Sequence, residues 1–368
     1  MKSPATSEAP KRPILFKEYP ELEKEIPWIS LGTYPTPIRQ LQRLGDGNLW
    51  IKRDDLSSAK YGGNKIRKLE FILASAKRRN TRQVITFGGI GTNHGLATAI
   101  FCDQLNIPCK LLLFWQPVSA HVQQNLLLFS RYNAQLVYKK TLWRTVIGYY
   151  LTERIKHPGA YFIYAGGSST VGTVGYVNAA YELRAQVQRG EIPPPAVIIC
   201  PLSSGGTLGG LALGVQLAGL NTNVIGIRVA QPHLGPFHAC TAKTVQTLMN
   251  KTYALLRNAC RHIPDISLKA PRIVHDYIGD GYGFPTPEGN RAYHIAKDNE
   301  NVLLDPTYTA KTFAAVLDYI QGPGKNAGPI VYWNTYNSTD LSDQAASVDY
   351  RKLPRSLQRF IEQKAISI

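Results

Sequence analysis

Lys65 follows Tyr61-Gly62-Gly63-Asn64, where two glycines permit a tight turn and Asn64 can cap a helix. The spacing predicts Lys65 in the first helical turn, where the helix dipole disfavours a cation and lowers the amine pKa. A lysine so perturbed suits Schiff-base chemistry. Arg67, Lys68 and Lys77 share the stretch, so a solvated basic helix face is the other reading. A second run, Phe87-Gly88-Gly89-Ile90-Gly91-Thr92-Asn93-His94-Gly95, sets a glycine turn between strand and helix. Its N–H groups, with Thr92 and Asn93, can hold a carboxylate, or they form an ordinary capped turn. His94 is either an acid–base group or a hydrogen-bonded structural histidine. The third run, Ser203-Ser204-Gly205-Gly206-Thr207-Leu208-Gly209-Gly210, offers consecutive N–H groups and hydroxyls to a phosphate monoester. It has neither the Walker lysine nor the dinucleotide glycine register, and close helix–strand packing would also account for it. Finally, Asp280–Pro285 and Asp305–Lys311 each present a loop tyrosine, Tyr282 and Tyr308, as packing groups or site groups.

These residues need strand ends and helix starts to hold them. Apolar runs at 83–87, 108–115, 161–164, 196–200, 223–229 and 329–333 read as strands. Helical runs at 93–104, 207–217 and 309–320 alternate with them. The alternation predicts an α/β fold of two lobes, each with a mainly parallel sheet flanked by helices. Ligands of such sheets sit at the strand ends, where the glycine and hydroxyl runs lie. Residues 1–30, broken by Pro10, Pro13, Pro20 and Pro27, read as an irregular arm, and 232–285 as two helical patches among loops.

The 368 residues suffice for two lobes, and 44% apolar with 18% charged residues is a globular composition. Lys plus Arg exceed Asp plus Glu by 42 to 25, a net charge of +17 that invites anionic ligands. No finger, helix-turn-helix or RNP pattern accompanies it, which argues against nucleic acid. Five cysteines without CxxC spacing argue against a disulfide framework or a zinc ribbon, and no metal site is expected. The polar start lacks a secretory h-region and no run is long enough for a membrane span, so a cytoplasmic protein without a membrane partner is expected.

Taken together and in order, the motifs resemble the D-cysteine desulfhydrase and 1-aminocyclopropane-1-carboxylate deaminase family of pyridoxal-phosphate enzymes. The resemblance runs from about Ile51 to Asn337 through Lys52-Arg53-Asp54-Asp55, Gly62-Gly63-Asn64-Lys65, Gly166-Gly167-Ser168, Gly175-Tyr176-Val177 and Asp305-Pro306-x-Tyr308. It implies the tryptophan-synthase-β-like fold (fold type II), with a larger cofactor-binding lobe from 1–67 and 178–368 and a smaller lobe from 68–177. It implies pyridoxal 5'-phosphate as cofactor, a small amino acid as substrate and a homodimer. By the same resemblance Lys65 matches the Schiff-base lysine, and Ser203, Ser204, Gly205, Gly206, Thr207 and Leu208 the phosphate cup. Asn93 matches the residue near the cofactor's phenolic oxygen, and Thr335 the hydroxyl near its pyridine nitrogen. Thr92 and His94 match the substrate-carboxylate loop, while Tyr282 and Tyr308 match the tyrosines over the substrate.

Two departures bear on the substrate. Family members carry Gln-Ser-Asn-His or a close relative where this chain has Gly91-Thr92-Asn93-His94. A pocket widened at Gly91 and narrowed by the Thr92 methyl is therefore expected. Asn334-Thr335-Tyr336-Asn337 replaces a glycine-rich segment, and added bulk beside the cofactor ring is expected. The family's deaminases tend to carry glutamate after the Asp-Pro-x-Tyr tyrosine, whereas this chain has Thr309. The leading expectation is β-elimination from D-cysteine, giving pyruvate, ammonia and sulfide. Its alternatives are the cyclopropane deaminase and a non-catalytic basic binding protein on the same scaffold.

Overall fold

The computed structural model describes residues 12–234, 237, 238 and 240–366. The notably polar start, residues 1–11, lies outside them. Two sheets organise the chain. The larger has the order β1-β2-β12-β7-β8-β11, with β1 (Ile38–Gln40), β2 (Leu49–Arg53), β7 (Val197–Leu202), β8 (Asn223–Arg228), β11 (Arg272–Val274) and β12 (Ile330–Asn334). Only β1 runs antiparallel, against β2. The smaller sheet is wholly parallel, in the order β5-β4-β3-β6. It comprises β3 (Gln83–Gly89), β4 (Cys109–Phe114), β5 (Gln135–Lys140) and β6 (Ala160–Phe162). A short hairpin, β9 (His233–Leu234) with β10 (Phe237–His238), stands apart.

Buried on both faces, the central strands read as continuous apolar runs, which is why 83–87, 196–200 and 329–333 are recognisable. The helices between them are α3 (Asn64–Arg78), α4 (Asn93–Gln104), α5 (Ala120–Arg131), α8 (Thr170–Gln188), α9 (Gly206–Leu217) and α12 (Thr309–Gln321). A further stretch joins α6 (Leu142–Ile147), a π turn (Gly148–Glu153) and α7 (Arg154–Lys156). Among the described residues no helix is long and apolar enough to cross a membrane.

Several expectations change in three dimensions. Residues 12–30 are not merely irregular: α1 (Ile14–Glu18) and α2 (Leu22–Glu25) bury Leu15, Phe16 and Leu22 in the larger core. Pro13 precedes α1 at its cap, where a missing N–H costs nothing. The region 232–285 holds one long helix, α10 (Ala242–Ala259), capped by Thr241, rather than two patches. After α11 (Pro287–Glu300), the chain ends in α13 (Ser342–Ala346) and α14 (Arg355–Glu362). Leu341, Ala345, Leu353, Leu357 and Phe360 of that end pack into the smaller sheet's core with Leu126 and Phe129. The segment 341–360 therefore departs from the expected division, which places it in the larger lobe.

The alternative reading of α3 as a solvated basic face holds only at its far end: Lys77 is exposed, but Arg67 and Lys68 are buried. Arg67 donates to Asp54 Oδ1 at 2.7 Å and to Glu182 Oε2 at 2.9 Å, and Lys52 Nζ donates to Glu182 Oε1 at 2.6 Å. Tyr176 and Trp333 add donors to Asp54 Oδ2. Burial pushes the Glu182 carboxyl up, but the Arg67 and Lys52 charges outweigh it and hold it at about 2. A buried pair so saturated with partners fastens α3 and α8 to β2 beneath Lys65.

Candidate active site

A cavity of about 240 Å³ opens where strand ends of both sheets meet the starts of α3, α4 and α9. Lys65, Thr92, Asn93, His94, Ser203, Ser204, Gly205, Thr207, Leu208, Tyr282, Tyr308 and Thr335 all line it. Gly206 lies just behind them, at the first position of α9. Residues up to 270 positions apart in sequence thus share one space.

Lys65 is set by the turn before it. Gly63 has φ +92°, and a Cβ there would stand 2.7 Å from the Tyr336 carbonyl oxygen, so only glycine fits. Lys65 Nζ donates to Asn64 Oδ1 at 2.7 Å, and Asn64 Nδ2 donates to Thr207 Oγ1 at 3.0 Å. Burial lowers the Lys65 ammonium to about 8, with Asp305 pulling the other way. The lowering expected from sequence is present, and desolvation is its cause.

At the start of α9, Gly205 has φ +88°, and Ser203, Ser204, Gly205, Thr207 and Leu208 line the cavity beside it. Gly206 N–H donates to Ser168 Oγ at 3.0 Å, which lies 2.7 Å from Ser204 Oγ. Lys68 Nζ reaches the Gly166 carbonyl at 3.1 Å and Ser168 Oγ at 3.5 Å, so both its partners are neutral oxygens. Burial, then the Lys65 charge, holds Lys68 well below the usual lysine range. A desolvated amine beside a glycine helix start fits a phosphate dianion, which would restore its charge. Sequence reasoning passed over Lys68 because a lysine three residues along a helix looks solvated. Its spacing from Lys65, one helical turn, was the available signal.

Across the cavity, Thr92 caps α4 by accepting the Gly95 N–H at 3.2 Å, which leaves its hydroxyl hydrogen to donate. Asn93 Oδ1 is 2.8 Å from His121 Nε2 and accepts from Asn125 Nδ2 at 3.2 Å. Its amide nitrogen is therefore the end turned to the cavity. Thr86 donates its only hydroxyl hydrogen to the Ile163 carbonyl, so His94 Nε2, 3.1 Å away, must be the donor between the two. His94 Nδ1 is then a bare acceptor, buried without a partner. Burial, with the Lys65 and Lys68 charges, keeps this ring neutral. The His94 ring is therefore neutral, with an unpartnered acceptor at Nδ1.

Tyr308 donates to Tyr282 Oη at 2.7 Å, and burial raises both phenols. Asp305 fixes Tyr308 by accepting its N–H at 2.7 Å and the Thr309 hydroxyl at 2.9 Å. Thr309 thus serves the start of α12. Thr335, at the end of β12, accepts the Asn64 N–H on its carbonyl at 3.1 Å and lines the cavity. Phe87, Phe114, Leu142, Tyr164 and Cys240 complete an apolar wall that sequence reasoning missed, because isolated apolar residues carry no motif.

Both expected departures are altered. A Cβ at Gly91 would lie 2.6 Å from Val122 Cγ2 and 2.9 Å from Val122 Cα, so no pocket space opens there. Gln116, from the loop after β4, accepts the Gly91 N–H at 3.2 Å and brings an amide alongside by another route. Tyr336 does not thicken the cavity wall: its ring lies 6.1 Å from that of His121, while Thr335 and Asn337 line the cavity.

The comparisons with known proteins agree with this geometry. Residues 29–335 match the family model described as pyridoxal-phosphate dependent enzyme. The chain belongs to that family. A D-cysteine desulfhydrase of Klebsiella pneumoniae is 33% identical over 322 residues, covering 84% of this chain and 93% of the relative. A putative 1-aminocyclopropane-1-carboxylate deaminase of Thermotoga maritima is 30% identical, covering 81% and 93%. The crystal structure of an ACC deaminase homologue superposes with a TM-score of 0.74 at 26% identity, covering 92% of this chain and 99% of that one. The fold is accordingly fold type II, and the protein is a pyridoxal-phosphate-dependent enzyme.

Proposed function

We propose that this enzyme performs β-elimination on a small amino acid, with D-cysteine the first substrate to test. The observation that carries it is Lys65: a buried amine lowered to about 8 that lines one cavity with the Tyr282–Tyr308 pair. Lys65 Nζ would hold the cofactor's aldehyde, and Lys68 with the N–H groups of Ser203–Leu208 would hold its phosphate. By the family resemblance, Thr335 would serve the pyridine nitrogen and Asn93 the phenolic oxygen, and both line the cavity. Pyridoxal phosphate, when bound, supplies the electron sink for the pair left on the α-carbon.

The remaining work falls to side chains. The substrate carboxylate rests on the Thr92 hydroxyl and the N–H groups at the start of α4. Lys65 Nζ, as a neutral base, would take the α-proton. Tyr282 accepts from Tyr308, so its own hydroxyl hydrogen is left to donate to the departing sulfur. The C–S bond breaks with its electron pair leaving on sulfide, and water converts the released aminoacrylate to pyruvate and ammonia.

Thr309 supports elimination over cyclopropane opening, because its hydroxyl is held by Asp305 and does not line the cavity. The reading includes a cytoplasmic homodimer, on the family resemblance. The test is a panel of D-cysteine, L-cysteine, D-serine and 1-aminocyclopropane-1-carboxylate with sulfide, pyruvate and 2-oxobutanoate detection. Sulfide and pyruvate in equal amounts from D-cysteine support it. Only 2-oxobutanoate from the cyclopropane substrate, or no product with cofactor bound, overturns it.

A further inference from the structure

Ten large apolar side chains are exposed among the described residues, and five of them lie in one helical stretch, α6 to α7. Ile155 is 80% exposed, Leu151 61%, Ile147 51%, Trp143 45% and Tyr150 42%. Trp143, Ile147, Leu151 and Ile155 recur every four residues through the π turn, with Tyr150 beside Leu151, and all five are exposed. The inner stripe is satisfied separately: Val146 and Tyr149 pack on Ile85, Phe87 and Leu112 of the smaller sheet. The helix therefore has two apolar faces, and only one of them is covered.

The charges beside the stripe are of one sign. Residues 139–156 contain Lys139, Lys140, Arg144, Arg154 and Lys156 against Glu153 alone. Glu153 is buried and already engaged, 2.8 Å from Lys110 Nζ and 3.4 Å from His157 Nε2. Lys140, Arg144, Arg154 and Lys156 are exposed. A two-fold pairing of this face would gather these cations with no free carboxylate in residues 139–156 to answer them. The face sets exposed aliphatics, a tryptophan and a tyrosine among cations, as on helices that lie in a bilayer interface.

We propose that this stripe docks the enzyme on an anionic lipid bilayer. Trp143, Ile147, Tyr150, Leu151 and Ile155 enter the headgroup boundary, and Arg144, Lys140 and Lys156 meet the lipid phosphates. Leu142, the first residue of α6, lines the active-site cavity, so the docked helix runs from the cavity mouth along the membrane. The net charge of +17, which the catalytic site does not require, draws the protein to the same surface.

The test is co-sedimentation of the holoenzyme with extruded vesicles of phosphatidylcholine plus phosphatidylglycerol, beside pure phosphatidylcholine. Binding to the anionic vesicles is expected, with a blue shift of tryptophan emission that Trp143→Phe removes. Leu151→Ser with Ile155→Ser, and separately Arg144→Glu with Lys156→Glu, should each weaken binding about tenfold or more. The cofactor absorbance certifies that each variant is folded. If a variant fails to fold, the Trp143 emission of the unmodified protein still decides. The proposal falls if the holoenzyme stays in solution with anionic vesicles. It falls equally if only the charge variant weakens binding, or if the serine variant dissociates an oligomer instead.

Discussion

His121 Nε2 sits 2.8 Å from Oδ1 of Asn93, joining the second turn's side chain to a helix that no motif marks. With Asn125 on the same oxygen, the Asn93 amide is held in one orientation. His121→Phe should therefore lower turnover about 10- to 100-fold by letting the amide rotate. The bound cofactor's absorption maximum should shift with it, and His121→Gln should restore part of both. A spectrum unchanged in His121→Phe would remove the positioning role.

Borohydride reduction of the holoenzyme followed by peptide mapping should label Lys65. The apoprotein adds a pH signature. Attack on an aldehyde needs the neutral amine, whose share rises with pH, so the reloading rate should climb through pH about 8 and flatten above it. A label on Lys60 or Lys68, or a rate still rising past pH 10, would displace Lys65.

Gly206→Asp should empty the phosphate cup. A Cβ there would lie 2.7 Å from Ser168 Oγ and 3.2 Å from Lys68 Nζ, and the added carboxylate repels a dianion. Lys68→Met, milder, should weaken cofactor retention about 10- to 100-fold by losing a charge-assisted contact. Dialysis followed by absorbance measures both, and full retention in both variants would place the phosphate elsewhere.

Glu182→Gln should cost about 3–5 kcal/mol, because Lys52 and Arg67 would stay buried with one carboxylate fewer. The pH dependence follows from a folded pKa of about 2, below the ordinary glutamate range. The unfolded chain takes up the proton first as pH falls. This contribution is therefore complete above pH about 5 and is lost on acidification towards pH 2. Urea titrations at pH 7 and pH 3 read both. A loss under about 1 kcal/mol at pH 7 would mean that the network relaxes freely.

Gly91→Gln, which would recreate the residue common in the family, should destabilise by about 1–3 kcal/mol through Val122. It should not raise D-cysteine turnover. A thermal midpoint equal to the parent's would show that α5 moves aside.

The sequence by itself determined the parts whose signals are local. The strands at 83–87, 196–200 and 329–333 are apolar runs, and the turns before Lys65 and after Leu202 are written in glycines whose φ no other residue accepts readily. Hence the α/β class, Lys65 and the Ser203–Leu208 turn can be read without coordinates. Tertiary structure alone decided what depends on partners distant in the chain. Arg67 and Lys68 look solvated until Asp54, Glu182 and the start of α9 surround them, and desolvation rather than a helix dipole sets Lys65. Gly91 looks like open space until Val122, from another helix, stands against it. Tyr336 looks like added bulk until its ring is seen beside His121, outside the cavity lining. Burial and steric exclusion are set by what arrives from elsewhere in the fold, and no spacing along one chain records that.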